Sequence, residues 1–320
     1  MHFPSPHLLW LIATLFGLLS IGTLVRIAML KGQCDERTNL HFKSVRSWWI
    51  LAILLSVALL FGHIGVLILL AVAGILSLKE FIQILGWKSV GNPTICVVFA
   101  IVPIYYSLLA CGFAEQVRSM APVAIMILLG AVRAWLGLVE GFVRVTAAMI
   151  WSAMLFVYCL SHAYFVMTLS DLQVTWAGNA GWFLYLIVLT ETNDIAQAIV
   201  GRSIGRTKIA PLTSPNKSLE GFLGGIAVTT VLAILLAPWL TSYMHQSWST
   251  GTILSLVSGL LIATSGFLGD LNKSGIKRDA GIKDSGTMLP GQGGIMDRVD
   301  SLTFSAPVFF YLVQFSIQVR

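Results

Sequence analysis

Apolar runs of about 18 residues or more recur along the whole chain, and a run of that length reads as a transmembrane helix. No other feature limits the possible folds as much. Of the 320 residues 57% are hydrophobic and 11% are charged, against roughly 25% charged in soluble domains. Mean hydropathy is +0.85. Lipid is therefore the main solvent, and the expected fold is an all-α, polytopic integral membrane protein. The first run, Leu8 to Ile27, lacks a basic leading segment and a small-x-small cleavage site. It is expected to be a retained span and not a removed signal peptide.

Ten spans are expected, at roughly 8–30, 48–62, 64–78, 94–112, 121–138, 146–169, 178–200, 221–241, 250–270 and 302–318. The alternative is nine, with Trp48 to Leu78 as a single tilted helix. That helix would be about 46 Å long at 1.5 Å per residue, against a hydrocarbon core of about 30 Å. Gly62-His63 at its midpoint favours a hairpin of two helices. The connections at 31–47, 79–93, 139–145, 201–220 and 271–301 hold 16 of the 20 Lys and Arg residues, while 170–177 and 242–249 hold none. With ten spans all five basic connections fall on one side, the cytoplasmic one by the positive-inside rule. The loops at 201–220 and 271–301 can then meet. With nine, 31–47 faces the wrong way.

No repeat, low-complexity tract or linker divides the chain, so 1–320 reads as one transmembrane domain. It has a variable membrane-spanning half, 1–180, and a catalytic half, 181–320. Cys34, Cys96, Cys111 and Cys159 show no Cys-x-x-Cys pairing and lie mostly in apolar segments, which argues against a disulfide framework or a zinc site. The net charge of +6 fits cytoplasmic loops beside acidic lipid.

Chemistry concentrates in "KRDAGIKDSGTMLPGQGGIMDRVD", Lys277 to Asp300. Here Lys277, Arg278, Lys283 and Arg298 stand against Asp279, Asp284, Asp297 and Asp300, with five glycines and a proline among them. The glycines of "PGQGG" let backbone amides approach a ligand, and Asp297 and Asp300, three apart, share a helix face. Carboxylates repel an anionic ligand unless a metal intervenes, and Mg²⁺ is held by one or two carboxylates together with substrate phosphates. The basic residues neutralise the remaining phosphate charge. The combination points to metal-assisted phosphoryl or nucleotidyl transfer. A polybasic lipid-binding loop explains the lysines but neither the aspartates nor the glycines. Acidic residues at span ends, Glu191 and Asp194 in "TETND" and Asp270 in "FLGD", are further candidates. "SPNKSLEGFLGG", from Ser214, offers Lys217, Ser218, Glu220 and free amides at a helix start.

These residues resemble the phosphatidate cytidylyltransferase (CDP-diacylglycerol synthase) family. The likeness is carried by Ser274, Lys277-Arg278, Lys283-Asp284, Pro290-Gly291-Gln292-Gly293-Gly294 and Asp297-Arg298-Val299-Asp300, and also by Asn193-Asp194, "GRSIG" from Gly201 and "SPNKSLEG". It covers roughly residues 190 to 301. It implies that CTP and phosphatidate give CDP-diacylglycerol and pyrophosphate in phospholipid biosynthesis. It implies Mg²⁺ held by Asp270 and Asp297, with room for a second, monovalent cation such as K⁺. The implied catalytic residues are Asp270, Lys277, Arg278, Lys283, Asp284, Asp297, Arg298 and Asp300. Those implied to bind substrate are Asn193, Asp194, Ser214, Lys217, Glu220, Ser274, Gly291, Gly293 and Gly294.

The chain departs from the family pattern at two places. Gln292 stands where the family turn usually has His, and neither reactive loop contains a histidine. Lys273 adds a cation where family members often have an acidic or aromatic residue, and it is expected to tune headgroup recognition or to face solvent. The competing functions are a CTP-using lipid kinase, a paralogue acting on another phospholipid, and a lipid transporter or scaffold. Expected partners are CTP, phosphatidate or a related anionic phospholipid, the membrane, and a second copy of the chain in a homodimer, but not nucleic acid. The expected location is a bacterial inner membrane, with the active loops facing the cytoplasm.

Overall fold

The computed structural model describes residues 6–29, 36–86, 90–169, 178–243, 247–282, 285–286, 288 and 293–318. Among these residues there is no β-strand, and the all-α expectation holds. The helices are α1 (Pro6–Met29), α2 (Glu36–Leu60), α3 (Gly62–Leu85), α4 (Asn92–Ala110), α5 (Ala114–Trp135), α6 (Phe142–Thr168), α7 (Ala180–Ile204), α8 (Leu219–Leu240), α9 (Trp248–Asp279) and α10 (Met296–Gln318). Helix α6 changes pitch along its length, with a π-helical stretch at Met154–Cys159 and a 3₁₀ turn at Val166–Thr168.

Each expected span falls on one described helix. Among the described residues eight of these helices are long and apolar enough to cross a membrane, and α2 and α10 are not among the eight. The apolar part of α2, Val45–Leu60, is shorter. The Trp48–Leu78 stretch is not one helix. It breaks at Gly62, whose φ of +62° lies where residues with a Cβ are disfavoured. The chain folds back sharply there, because Gly65 lies against the carbonyl of Ala58, seven residues earlier. In a continuous helix those two residues would be about 10 Å apart.

Several expected boundaries move, and three of the moves matter for function. Helix α3 continues to Leu85 and carries Glu80 beyond the expected end at 78. Helix α9 runs to Asp279, so Ser274, Lys277 and Arg278 stand on its last turns and not in a loop. Helix α10 begins at Met296, six residues before the expected span. Hydropathy ends a span where charge begins, but Lys, Arg, Asp and Glu are all compatible with helix, so the rods extend past the apolar segment.

In the second half of the chain α7 packs against α8, α8 against α9, and α9 against α10. Small residues let these backbones approach, as in membrane-protein interfaces generally. A Cβ on Gly225 of α8 would overlap the Gln197 side chain of α7, and one on Gly269 of α9 would overlap the Asp300 carbonyl of α10. The second contact is the one that sets the site, because Gly269 immediately precedes Asp270.

Side chains that bridge connections show which ends of the helices lie together. Arg133, at the end of α5, is buried and donates to the carbonyls of Val90 (2.9 Å), Leu138 (3.1 Å) and Glu140 (3.2 Å). Glu80 reaches the start of α10. Arg278 Nε donates to the Thr213 carbonyl at 3.3 Å. The basic connections after α3, α5, α7 and α9 therefore share one end of the bundle, the grouping expected from charge.

Candidate active site

The candidate site is a set of ion pairs at that end, assembled from α9, α10 and the turn before α8. Asp270, Lys273 and Lys277 recur at helical spacing on α9 and so share one face. They meet Asp297 and Asp300 on the first turns of α10. Lys273 Nζ is 3.1 Å from Asp270 and 3.6 Å from Asp297, and it also contacts Asp300. Lys277 Nζ donates to Asp297 Oδ1 at 2.8 Å. Lys217, from the turn before α8, pairs with Asp270 at 2.5 Å and donates to Gln197 Oε1 of α7 at 3.1 Å.

The other oxygen of Asp297 accepts from Ser285 Oγ at 2.6 Å and from the Gly294 amide at 3.1 Å. Asp297 precedes the apolar segment 302–318. Burial pushes its carboxyl up, but the Lys273 ammonium and hydrogen bonds from Lys277 and Ser285 outweigh that and hold it below the usual carboxylate range,. Gly293 has a φ of +86°, which lets the chain turn and present the Gly294 amide to Asp297.

The turn before α8 is a short hairpin. Lys208 and Ser218 form an isolated antiparallel bridge. Ser218 caps α8 by accepting from the Gly221 amide at 3.2 Å. Glu220 accepts the backbone N–H groups of Arg206 (2.9 Å) and Thr207 (3.1 Å). Ser214 closes the tip, its carbonyl accepting from the Lys217 amide at 3.1 Å. These bonds fix the turn so that Lys217 faces α9.

On α7, Asn193 is fully buried. Its amide donates to the Ala263 carbonyl of α9 at 3.2 Å and accepts from Thr229 of α8 at 3.4 Å, so it ties three helices together. Asp194 accepts from Ser301 Oγ of α10 at 2.7 Å, and its second oxygen is buried with no hydrogen-bond partner among the described residues. Ser274 is half-buried on α9, Arg298 half-buried on α10, and Glu191 half-buried on α7. Arg278 is exposed and turns toward Thr213, away from the carboxylates. Asp279 is the exposed last residue of α9. Lys283, Asp284 and Gly291 lie outside the described residues, as do Pro290 and Gln292.

Two residues at the site do not appear among the candidates read from the sequence. Lys273 does not face solvent but stands at the centre of the ion pairs, with its side chain 13% exposed. Glu80 of α3 is 1% exposed and accepts the amides of Ile295 (2.9 Å) and Met296 (2.8 Å). An acidic residue in an otherwise apolar stretch was a signal for it, since such residues are costly unless used.

A hard divalent cation needs oxygen donors that converge, and Asp270 and Asp297 supply them. The single Lys273 ammonium within reach of both shows that one positive centre spans the two carboxylates. Their oxygen-donor chemistry suits Mg²⁺, but among the described residues no three acidic, histidine or cysteine side chains are grouped closely enough to hold an ion by themselves, so substrate phosphates would have to complete the set.

Residues 42–316 match the Cytidylyltransferase family. The chain is 36% identical to the protein of Escherichia coli K12 described as uncharacterized protein YnbB, over 309 residues covering 95% of this chain and 97% of that one. It is 42% identical over 120 residues to a phosphatidate cytidylyltransferase of Synechocystis, covering 38% of this chain and 39% of that protein. It is 38% identical over 135 residues to the Bacillus subtilis phosphatidate cytidylyltransferase, covering 41% and 47%. The chain thus spans less than half the length of these two phosphatidate cytidylyltransferases.

Proposed function

This chain belongs to the cytidylyltransferase family, and on that premise we propose that it transfers the cytidylyl group of CTP to the phosphate of phosphatidate. A phosphate oxygen of the lipid attacks the α-phosphorus of CTP. The bond from that phosphorus to the bridging oxygen breaks, and pyrophosphate leaves with the electron pair. CDP-diacylglycerol is the lipid product. The reading rests above all on the meeting of Lys217, Lys273 and Lys277 with Asp270, Asp297 and Asp300 at one end of a membrane-spanning bundle.

Each part of that cluster suits the reaction. Lys217 and Lys277 lie at opposite sides of the carboxylates, on separate elements, where they can bind different phosphates of a triphosphate. The Gly293–Gly294 turn donates its Gly294 amide to Asp297, and a phosphate bound there could take over that amide, as in phosphate-binding turns. The attacking phosphate is already anionic, so no general base is needed, which suits loops without histidine. Asp270 and Asp297 would hold Mg²⁺ together with the nucleotide phosphates. When bound, that ion would neutralise charge building on the departing pyrophosphate. The basic end of the bundle is proposed to face the cytoplasm of a bacterial inner membrane, where CTP is available.

The test uses purified protein in detergent with CTP labelled at the α-phosphate. Label is expected in a chloroform-soluble product, with equimolar pyrophosphate, only when phosphatidate and Mg²⁺ are both present. Release of CDP with transfer of the γ-phosphate would make the protein a lipid kinase. Turnover with another phospholipid but not phosphatidate would overturn the assigned substrate.

A further inference from the structure

Lys273 is set apart from the other basic residues of the site by the number of carboxylates it serves. Its ammonium contacts Asp270, Asp297 and Asp300 together, whereas Lys217 pairs with Asp270 and Lys277 with Asp297. Between Asp270 and Asp297, the carboxylates read as metal ligands, a covalently attached cation is already present. The three ammonium groups offset the charge of the three carboxylates they contact, although Asp194 and Glu80 also act on Asp300 and Asp297. At the point shared by all three carboxylates, a divalent ion meets the repulsion of the Lys273 ammonium.

The surroundings act in the same direction. A void of about 10 Å³ beside Lys273 and Asp300 is walled by Leu155, Phe156, Ile276 and Met296. That is roughly the room of a single water, so on this side, away from Asp270 and Asp297, no hydrated ion fits between Lys273 and Asp300,. Lys273 also has no means of leaving by simple exposure, since it is anchored to two helices at once.

We propose that Lys273 is a resident counter-cation which closes this carboxylate cluster to free divalent ions, so that a metal enters only together with the nucleotide. Binding of the triphosphate draws Lys217 and Lys277 onto phosphate oxygens. One oxygen each of Asp270 and Asp297 is then released to the incoming ion, while Lys273 stays on Asp300. Lys273 is thus a positioning residue that sets the order of binding. The inference relies on the nucleotide reading above for its meaning, but its test needs neither lipid nor turnover.

Free Mn²⁺ can be counted by electron paramagnetic resonance in titrations of the purified protein. Without nucleotide, the wild-type protein is expected to bind no Mn²⁺ tightly, and a non-hydrolysable CTP analogue is expected to produce binding of the ion. Lys273→Met, similar in volume but uncharged, is expected to bind Mn²⁺ at least about tenfold tighter without nucleotide, because a unit charge beside the ion is gone. Lys273→Arg keeps the charge and should behave as wild type. If Lys273→Met does not fold, as judged by thermal unfolding in detergent, Lys273→Gln takes its place. Tight Mn²⁺ binding by the wild type without nucleotide overturns the proposal, and so does a folded uncharged variant with unchanged Mn²⁺ affinity. Failure of phosphatidate turnover alongside the expected Mn²⁺ results would instead count against the substrate.

Discussion

Glu80 and Met296 lie 216 positions apart in the chain, yet the Glu80 carboxylate accepts the Met296 amide at 2.8 Å and the adjacent Ile295 amide at 2.9 Å. A residue of the first half of the chain thereby caps the helix that carries Asp297 and Asp300. The first amides of a helix have no partners within it, and a carboxylate also matches the positive end of the helix dipole. Gly286 and Gly294 lie against the same carboxylate, at distances a Cβ could not tolerate. Glu80 therefore holds both the start of α10 and the glycine turn in front of it.

Glu80→Ala would leave the buried Met296 amide and the part-buried Ile295 amide without their acceptor, a loss of about 1–3 kcal/mol for a fully buried group and less for the other. It should lower the thermal unfolding temperature in detergent and reduce kcat, because Asp297 and the Gly294 amide lose their support. Glu80→Asp retains the charge on a shorter arm and should recover part of both. Unchanged kcat in a folded Glu80→Ala protein would show that the cap does not position the site.

Asp270→Asn and Asp297→Asn should each abolish turnover while the protein still inserts and folds. Asparagine keeps the size and one oxygen but loses the charge that binds a hard cation and balances the lysines. Asp279→Asn should have little effect, because Asp279 is exposed at the end of α9. Activity across a Mg²⁺ titration makes the comparison. Normal kinetics in Asp297→Asn would remove it from the metal site.

Gly269→Ala tests the approach of α9 to α10. Its Cβ would collide with the Asp300 carbonyl, so the helices must separate. Overpacking of this kind costs about 1–3 kcal/mol. Turnover should fall more than stability, because a small separation moves Asp270 and Lys273 relative to Asp297 and Asp300. A protein with normal kcat would show that the ion pairs tolerate a wider gap.

Sidedness can be read by labelling single cysteines, in a background without native cysteine, from outside intact cells. A cysteine at Ser247, in the connection opposite the basic end, should react, and one at Asp279 should not. Asp279 is a better probe than Ser285, which is buried and bonded to Asp297. The reverse pattern would place the site on the other face of the membrane.

The sequence alone determined the class of fold and the address of the chemistry. Long apolar runs can be satisfied only by helices in lipid, and the charge asymmetry of the connections placed the loops around 201–220 and 271–301 together. The Ser274-to-Asp300 stretch named the reaction class, because phosphate chemistry needs cations, carboxylates and glycines in proximity. Tertiary structure decided how these residues divide the work. Arg278 and Lys277 are neighbours in sequence, yet one turns out toward Thr213 and the other in toward Asp297. Adjacent residues on a helix point about 100° apart, and only packing fixes which of them faces inward. Lys273 read as a residue that tunes headgroup recognition or faces solvent, because two of its three partners, Asp297 and Asp300, are on another helix, brought close by the absence of a side chain at Gly269. The role of Glu80 was hidden for a similar reason, since a carboxylate acquires its role from the two amides it meets, and those lie more than 200 residues away.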